Sequence, residues 1–512
     1  MDDPILIGVD LGTTGCRTLV FDRFGKQISN AYVEYEIRMP EPGWAEQDPD
    51  TWWQAAVQTI REAVAKASLR PADVVAIGVT GQQPSPVFVD REGRSLAPSL
   101  IWMDRRTTVE CDEIAAALGA QRVYQVTGLR IDSNFTAPKV LWMRKHLPDA
   151  YKRTYKVLPA KDLLLQRLTG EFVSDTATSG ASLLFDIRQL TWWAEGLRAL
   201  DIDADLLPAV RSPTDVAGGL RDDVAAEVGL LAGTPVYVCA GDATTEAVGC
   251  RVVVPGEACA SIGTSCDVIT CTQAPLADEL RRFGSYPHAV AGYYVAMAGA
   301  NTGGVSLRWF RDQFCEAEVE SGRRLGLSPY ALMDLEAARA RPGAGGLSFL
   351  PYMMGERSPI YDPLARGVFF GLSLRHKKAD FVRAIMEGVA CSIRHRLEII
   401  EGQGVAIPYL YLAGGGARSA LWRQLVADVT GKPNLVLQVS ESTCVAAAIL
   451  AGTGSGIYSS VESACAELLP VAGRCEPEPG VQAVYDDVFD VYVKLYEYTK
   501  SLWPTVDQVA RS

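Results

Sequence analysis

The sequence predicts an α/β protein of two related domains, each built on a mostly parallel or mixed sheet that helices cover. Three observations lead to this prediction. The chain has 512 residues, which is too long for one hydrophobic core. Apolar strands that end in glycine-rich turns alternate with amphipathic helical segments. A strand–turn–strand pattern near the amino terminus returns near residue 260. We therefore expect one domain over residues 1–251 and a second over residues 252–512.

The first strand–turn–strand pattern begins with the apolar residues 5–9, and one acid, Asp10, stands at the carboxyl end of that strand. The turn that follows is made of small residues: Gly12, Thr13, Thr14 and Gly15. Glycine lets a ligand approach the backbone closely, and successive N–H groups form a concavity that binds anions. No Gly-Lys-Ser/Thr follows, so this is not a P-loop. We expect a hairpin whose tip binds phosphate, with Asp10 placed to manage a metal ion.

The same layout recurs over residues 258–270, where the turn contains Gly263, Thr264 and Ser265, and Ser261 takes the position of the acid. A third glycine cluster, residues 414–416, follows the apolar strand 409–413 and precedes a helical stretch. Two related hairpins and a glycine-rich turn from strand to helix indicate a duplicated fold with a nucleotide between its halves.

The remaining elements follow from apolar spacing. A helix should begin near Asp50 and end before Pro71, and buried strands should cover residues 74–80, 100–102 and 235–240. In the second half, apolar residues at near-fourfold spacing predict one long helix: Phe381, Ile385, Val389, Ile393, Leu397 and Ile400. A terminal helix is expected over residues 481–502.

Composition excludes several classes of function. The net charge of −12 argues against a nucleic-acid-binding surface. No apolar run reaches the roughly 18–20 residues that a membrane helix requires, so no membrane partner is expected. The amino terminus lacks the basic region of a signal peptide. The twelve cysteines are scattered without Cys-x-x-Cys spacing, which favours buried reduced thiols and a cytoplasmic protein.

Three acids, Asp10, Asp104 and Asp242, stand at the ends of predicted strands. Ligands of open α/β sheets gather at the carboxyl ends of the strands. A hydroxyl is a poor nucleophile at neutral pH, so phosphoryl transfer to a sugar benefits from a carboxylate that accepts its proton. Mg²⁺ would offset the charge of the transferring phosphate, and Asp10 could hold this ion.

The chain resembles the FGGY carbohydrate kinases, and most closely their xylulokinase branch. The stretches that carry the resemblance run from about residue 5 to residue 450, in order: residues 8–14, 44–49, 52–53, 135–142, 241–242, 261–265, 349–352, 355–357, 367–372 and 414–418. The resemblance implies two actin-like (ribonuclease H-like) domains with a nucleotide and sugar cleft between them. It also implies an ATP-dependent sugar kinase.

The resemblance assigns roles to individual residues. Asp242 would be the catalytic base, and Asp10 with Asp242 would hold Mg²⁺. The sugar would contact Gln82, Gln83, Trp102, Asp104 and Asp242. The nucleotide would contact Gly12, Thr13, Thr14, Gly263, Thr264, Gly304 and Arg308, with Gly415, Gly416 and Ser419 around the adenosine.

Two departures from the xylulokinase pattern bear on the substrate. That branch usually has Gly-Gln-Met-His-Gly where this chain has Gly81-Gln82-Gln83-Pro84-Ser85, and it usually has Asn where Ala243 stands. Lost polar groups alter sugar selectivity strongly. The lead substrate is D-xylulose, giving D-xylulose 5-phosphate. Another ketose, a polyol or an autoinducer-2-like substrate stays open, the last because residues 307–312 resemble autoinducer-2 kinases.

Two rival interpretations belong to other classes: an actin-like or Hsp70-like ATPase, and an idle sugar-binding regulator. No peptide-binding domain follows the second half, and Asp242 and both hairpins are intact, so both rivals are disfavoured. Glu356 and Arg357 leave two alternatives open, an ion pair between domains or a catalytic element. The oligomeric state also stays open, and a homodimer is one alternative.

Overall fold

The computed structural model describes residues 4–438 and 442–511. Contacts within the chain define two compact units. The first unit contains residues 4–255, 271–295 and 442–470, and the second contains residues 256–270, 296–438 and 471–511. The predicted division into residues 1–251 and 252–512 treats each domain as continuous. In the structure, residues 271–295 and 442–470 pack with the first unit instead.

The first unit is built on a six-stranded sheet. Its strands are β1 (Ile5–Leu11), β2 (Gly15–Asp22), β3 (Gln27–Glu34), β4 (Val74–Gly81), β5 (Val216–Gly219) and β6 (Pro235–Tyr237). They lie in the order β5-β6-β4-β1-β2-β3. Strand β1 is antiparallel to β2 and parallel to β4, and β6 is parallel to β4. The carboxyl ends of β1, β4 and β6 therefore share one edge of the sheet, and Asp10, Gln82 and Asp242 follow at that edge.

Helices cover this sheet. The helices of the first unit are Pro49–Ala67, Thr108–Leu118, Ala120–Thr127, Thr136–His146, Pro148–Arg153, Ala160–Thr169, Thr176–Gly180, Ala194–Ala199, Asp222–Val228, Asp242–Gly249, Ser442–Gly454 and Val461–Leu468, with 3-10 turns at Pro71–Asp73 and Ala204–Leu206. Short strands pair as Glu46–Gln47 with Ser99–Leu100, Pro86–Val89 with Lys156–Pro159, Val173–Asp175 with Ala209–Arg211, and Phe185–Asp186 with Thr191–Trp192. One further strand covers Gly284–Pro287.

The Pro49–Ala67 helix begins where the sequence predicted. Asp48 caps it by accepting a hydrogen bond from the backbone N–H of Asp50, and Ser68 ends it in the left-handed conformation. Trp52 on its inner face has no exposed surface, whereas Trp53 is only half-buried. Val57, Ile60 and Val64 of the same helix are buried as well.

The Ser442–Gly454 helix packs directly on β1 and β4. A Cβ added to Gly8 would lie 2.1 Å from the carbonyl oxygen of Cys444, and one added to Gly78 would lie 2.2 Å from that of Ala447. Only glycine at these two strand positions lets the helix approach so closely. Residues 444–452 of the helix are all buried, as expected of a helix that is apolar all round. This helix was not among those predicted from apolar spacing.

The second unit repeats the hairpin layout. Its strands are β7 (Ala258–Ile262), β8 (Cys266–Thr272), β9 (Tyr294–Ala300), β10 (Leu410–Ala413), β11 (Asn434–Leu437) and β12 (Val471–Cys475), in the order β9-β8-β7-β10-β11-β12. Strand β7 is antiparallel to β8 and parallel to β10, just as β1 is antiparallel to β2 and parallel to β4. The predicted duplicated α/β fold is confirmed.

The helices of the second unit are Gly304–Phe314, Glu316–Leu325, Pro329–Ala337, Lys378–Glu401, Ala420–Thr430, Gln482–Thr499 and Trp503–Arg511, with 3-10 turns at Ala344–Gly346, Gly415–Arg418 and Lys500–Leu502. Strands Ser348–Leu350 and Val368–Phe370 pair with each other. The predicted long helix is confirmed as Lys378–Glu401, with Ile385, Val389 and Ile393 fully buried. Within residues 4–438 and 442–511, every helix is too short or too polar to cross a membrane.

Candidate active site

Asp242 lies at the edge where the parallel strands of the first unit end. Strand β6 ends at Tyr237, and Asp242 is the first residue of the Asp242–Gly249 helix. The hydroxyl of Thr245 donates to the carbonyl of Ala240 at 2.9 Å, and the hydroxyl of Thr244 donates to that of Gly241 at 3.1 Å. These bonds fix the backbone just before the acid. The side chain of Asp242 accepts a hydrogen bond from the N–H of Ala243 at 2.8 Å.

The surroundings of Asp242 raise the pKa of its carboxyl well above the ordinary aspartate value. Burial is the main cause, and the negative charges of Asp10 and Glu246 add to it. Backbone N–H groups of Ala243 and Gln83 oppose the shift by stabilising the ionised form. A carboxylate with a raised pKa binds a proton more strongly, which suits a general base.

Asp10 lies at the carboxyl end of β1, opposite Thr80 of β4. The hydroxyl of Thr443 donates to Asp10 Oδ2 at 2.6 Å. Since the charge of Asp10 raises the pKa of Asp242, the two carboxylates interact across this edge. Mg²⁺ binds such oxygen ligands, and in kinases one or two carboxylates suffice beside substrate phosphates. In the described part of the chain no cluster of three or more His, Cys, Asp or Glu side chains is placed to hold a metal ion.

The substitution Glu246→Gln is expected to move the acidic limb of the kcat–pH profile to lower pH. Removing the negative charge of Glu246 lowers the pKa of Asp242, so the base stays ionised in more acidic solution. The kcat measured across the acidic pH range checks this shift. Glu227→Gln, at an exposed position of the Asp222–Val228 helix, serves as the control and should leave the limb in place. An unmoved limb in Glu246→Gln would contradict the assignment of the limb to Asp242.

The tip of the first hairpin is held by side chains around it. The N–H of Gly12 donates to the carbonyl of Gly15 at 3.0 Å. Tyr35 donates to the carbonyl of Gly12 at 2.5 Å, and Gln47 donates to that of Thr13 at 2.7 Å. Thr14 is exposed. The carbonyls at the tip are thus turned towards the protein, which preorganises the turn for an anion.

Trp102, predicted as a sugar contact, is also tied to this hairpin. Its indole Nε1–H donates to Thr13 Oγ1 at 2.9 Å. Its backbone N–H donates to Ser85 Oγ at 3.3 Å. Trp102 therefore connects the tip of the first hairpin with the segment that follows β4.

The adjacent glutamines Gln82 and Gln83 have different surroundings. Gln82 has no exposed surface, and its side chain donates to Gln47 at 2.9 Å and accepts from Ser85 at 3.1 Å. Gln83 is half-buried. Its Oε1 is buried without a hydrogen-bond partner, and a Cβ added to Gly241 would lie 1.7 Å from that oxygen. Of the two glutamines, Gln83 therefore lies beside the residue that precedes Asp242 and has an amide oxygen left to bind a ligand.

Asp104 is committed to protein partners. Its side chain has no exposed surface, and its oxygens accept from the N–H of Ala45 at 2.7 Å and from the guanidinium of Arg106 at 2.6 Å. Arg106 in turn pairs with Glu46 at 2.8 Å and stacks on Trp44 with its Cζ 3.5 Å from the ring centroid. In the structure, Asp104 therefore holds the backbone of Ala45 and the side chain of Arg106 in place. Its direct contact with a sugar stays a prediction.

In the second unit, the hairpin tip joins the start of a helix. The N–H groups of Gly303 and Gly304 donate to the carbonyls of Thr264 and Gly263 at 2.9 and 2.8 Å. A Cβ on Gly303 would lie 2.3 Å from the carbonyl oxygen of Ser265, and Gly304 begins the Gly304–Phe314 helix. The predicted residues Gly263, Thr264 and Gly304 are therefore neighbours, beside a helix amino terminus that favours anions.

The third glycine turn packs on the end of β7. Gly414 has a φ of +78°, and Cβ atoms added to Gly414 and Gly416 would lie 2.6 Å from atoms of Ile262, the residue before Gly263. Ser419 caps the Ala420–Thr430 helix by accepting from Trp422 N–H at 3.0 Å. Gly415 and Gly416 thus lie close to the second phosphate turn. Arg308 is exposed on the Gly304–Phe314 helix, and its predicted contact with nucleotide stays a prediction.

Sequence reasoning missed two residues of this site. Thr443 is 433 positions from its partner Asp10, and a threonine at the start of a small-residue helix was its only signal. Gln47 links the first hairpin to Gln82, and it lies inside one of the stretches that carried the family resemblance. Both residues act on other side chains, which no periodicity in the sequence reveals.

Comparison with known proteins defines the class. Residues 5–249 match the FGGY family of carbohydrate kinases, N-terminal domain, and residues 258–455 match the C-terminal domain of that family. The molecule is therefore a sugar kinase, a phosphotransferase with an alcohol group as acceptor and an actin-like ATPase fold.

The chain belongs to the FGGY family of carbohydrate kinases. It is 32% identical to the xylulose kinase of Escherichia coli (strain K12) over 96% of this chain and 98% of that protein. It is 28% identical to the gluconokinase of Bacillus subtilis (strain 168), over 96% and 95%. The crystal structure of a xyloylose kinase from Brucella ovis superposes with a TM-score of 0.88 at 30% identity, over 97% of this chain and 100% of that one. Family membership favours this class over a chaperone or filament ATPase.

Proposed function

We propose that this protein transfers the γ-phosphate of ATP to a hydroxyl of D-xylulose, giving D-xylulose 5-phosphate, with Asp242 as the general base. The observation that carries the proposal is the carboxylate of Asp242. Asp242 begins a helix at the edge of the sheet where the parallel strands β1, β4 and β6 end. Burial and the neighbouring Asp10 raise the pKa of its carboxyl.

In the proposed reaction the substrate hydroxyl lies within hydrogen-bond reach of the Asp242 carboxylate. Asp242 accepts the hydroxyl proton as the oxygen attacks the γ-phosphorus, and the bond from that phosphorus to the β–γ bridging oxygen breaks, so that ADP leaves. Two backbone N–H groups, those of Ala243 and Gln83, stabilise the ionised carboxylate before the reaction. The bonds from Thr244 and Thr245 hold the acid's backbone in place, which limits the entropy lost on reaching the reactive geometry.

Asp10, with Asp242 as a second carboxylate, would hold Mg²⁺. When bound, this ion supplies positive charge that offsets the charge of the transferring phosphate. The hydroxyl of Thr443 fixes one oxygen of Asp10 and so sets the direction of the other. Removing the ion with a chelator should therefore stop turnover without unfolding the protein.

The phosphates of ATP would bind at the two glycine turns. The first unit offers Gly12, Thr13 and Thr14, and the second offers Gly263, Thr264 and the Gly304 amino terminus of a helix. Gly415, Gly416 and Ser419 would hold the adenosine, because their turn packs on Ile262, next to the second phosphate turn. Arg308, exposed on the same helix as Gly304, would add a positive charge.

A neutral sugar fits the first unit better than an acid such as gluconate. Within the described residues, the cations around the segments that carry Gln83 and Asp104 are already engaged. Arg105 pairs with Asp132, and Arg106 pairs with Asp104 and Glu46. Lys139 donates to the carbonyls of three residues at 2.6 to 3.2 Å: Pro84, Ile101 and Asn134. A carboxylate would have to share these cations with partners that they already have, whereas the uncharged amide of Gln83 suits a hydroxyl.

A coupled assay of ADP release with a panel of sugars tests the substrate. The panel contains D-xylulose, a second ketopentose, gluconate, glycerol and an autoinducer-2-like compound. We expect the highest kcat/KM with D-xylulose and a much lower value with gluconate. A higher kcat/KM with any other member would overturn D-xylulose as the substrate. ADP release that no sugar stimulates would overturn the proposed sugar kinase reaction.

We place this reaction in the cytoplasm, with sugar and ATP as the partners. The support is the state of the twelve cysteines. All are free thiols and ten are buried, which is typical of a reducing compartment.

A further inference from the structure

A cluster of three charged side chains is buried beneath the segment that carries Asp242. Lys161, Asp162 and Asp175 have no exposed surface. Lys161 Nζ lies 2.5 Å from Asp162 Oδ1 and 2.9 Å from Asp175 Oδ2. Its third contact is a hydrogen bond to the carbonyl oxygen of Val238 at 3.1 Å. Three oxygen atoms, two of them from carboxylates, thus surround the ammonium group.

Val238 lies where the backbone leaves the sheet on its way to Asp242. The parallel pairing of β6 with β4 ends at Tyr237, opposite Gly78. Cys239, the next residue after Val238, has a φ of +49°, a left-handed conformation that a non-glycine residue rarely adopts. A buried carbonyl beyond the end of the ladder needs another donor. Lys161 provides this donor for Val238, which lies four residues before Asp242 in the chain.

The cluster is anchored on separate elements of the first unit. Lys161 and Asp162 belong to the first turn of the Ala160–Thr169 helix. Asp175 caps the Thr176–Gly180 helix, because its Oδ1 accepts from the N–H of Thr178 at 2.8 Å. The ammonium group of Lys161 therefore ties the starts of two helices to the backbone that leads to Asp242.

Stability does not explain this arrangement well. Burying one cation and two carboxylates costs solvation free energy, and apolar side chains of similar volume often stabilise a protein as well or better. With its side chain fully enclosed, Lys161 has no surface on which to contact a substrate. The directional hydrogen bond to Val238 is what an apolar replacement could not supply.

We propose that Lys161 is a positioning residue for phosphoryl transfer: by holding the carbonyl of Val238, it fixes where the carboxylate of Asp242 meets the substrate hydroxyl. The proposal rests on the role of Asp242 given under Proposed function. Misplacing a reacting group by about 1 Å can cost about a hundredfold in rate. Loss of the bond to Val238 should accordingly lower kcat and leave the binding of ATP unchanged.

The test uses the full-length protein with two variants. Lys161→Met keeps the length of the side chain and removes the charge, but it leaves two buried carboxylates facing each other. The triple variant Lys161→Met, Asp162→Leu, Asp175→Asn removes all three charges, and Asn can still cap the Thr176–Gly180 helix. We expect the triple variant to fold and to show a kcat about 10- to 100-fold lower, with the KM for ATP unchanged.

The contrast between the rate of the transfer step and the affinity for nucleotide separates positioning from simple structural damage. A displaced carboxylate slows the transfer itself, so the single-turnover rate should fall by the same factor as kcat while the affinity for a fluorescent ATP analogue stays unchanged. As a matched control, Arg383→Met with Glu387→Leu removes a buried ion pair of the second unit, whose Nε and Oε1 lie 2.7 Å apart. That control should leave both kcat and the single-turnover rate unchanged at temperatures where it is folded.

A folded triple variant with the kcat and single-turnover rate of the unchanged protein would overturn the proposal. Asp242→Asn, measured in parallel, identifies which idea has failed. If Asp242→Asn has no activity and the triple variant is normal, only the role of Lys161 is wrong. If Asp242→Asn keeps its activity, the base assignment itself is wrong.

Discussion

The substitution Asp242→Asn is expected to lower kcat by about 10²- to 10⁴-fold, the usual contribution of a general base. The amide has nearly the shape of the carboxyl group, so the N–H of Ala243 should still find an oxygen to donate to. What disappears is the capacity to accept the proton of the sugar hydroxyl. Because the nucleotide residues are on other turns, the binding of ATP should persist. Single-turnover phosphorylation and the titration of a fluorescent ATP analogue measure the two effects.

Asp222→Asn is the matched control for this experiment. Asp222 is also the first residue of a helix, Asp222–Val228, but it is exposed. Its replacement should leave kcat unchanged, so that any general effect of removing an acid from a helix start is excluded. If the Asp242→Asn variant has the same kcat as the unchanged protein, Asp242 is not the general base.

The substitution Arg396→Met is expected to lower the free energy of unfolding by about 3–5 kcal/mol, as when one partner of a buried ion pair is removed. Arg396 and Glu356 have no exposed side-chain surface, and their charged groups lie 3.4 Å apart. Arg396 also donates to Ser358 and Ser392 at 2.7 to 3.1 Å. Without Arg396, the pKa of Glu356, already raised by burial, should rise further.

The same substitution should weaken nucleotide binding. Glu356 Oε1 accepts from the N–H groups of Asn301 and Arg357 at 3.0 and 2.8 Å, and Asn301 begins the loop that leads to Gly304. Urea denaturation followed by tryptophan fluorescence measures the stability, and the KM for ATP measures the effect on the loop. Lys494→Met, which removes an exposed ion pair with Asp490, should change the free energy of unfolding by no more than about 1 kcal/mol. Equal stability of the two variants would contradict the prediction.

The contacts of Glu356 also correct one expectation from the sequence. An ion pair between domains was one of two alternatives for Glu356 and Arg357. Instead, Glu356 pairs with Arg396 inside the second unit, and Arg357 lies 3.4 Å from Asp267 of the same unit. The sequence shows two adjacent charges but not their distant partners.

The sequence was most informative where local pattern determines position. An apolar run followed by glycine marks the end of a buried strand, so this pattern is enough to predict Asp10 and the Gly12 turn at the edge of a sheet. The second hairpin around Gly263 could be predicted for the same reason. The long Lys378–Glu401 helix followed from its apolar spacing alone.

The surroundings of the site residues could not be predicted. Asp104 and Asp242 look alike as acids at strand ends, yet Asp104 is held by Arg106 and Ala45, while Asp242 begins a helix and accepts from the N–H of the next residue, Ala243. The burial of Gln82 depends on Gln47, which is 35 residues away. Such pairings depend on tertiary packing between distant segments, which a single sequence does not encode in any short pattern.

The Ser442–Gly454 helix has a consequence for biosynthesis. Strands β1 and β4 leave the ribosome long before the helix that covers their glycines, because that helix lies much later in the chain. During synthesis, the apolar surface of β1 and β4 therefore stays exposed until the Ser442–Gly454 helix has emerged and can pack on it. A protein truncated after Pro255 should for the same reason aggregate rather than persist as an autonomous half.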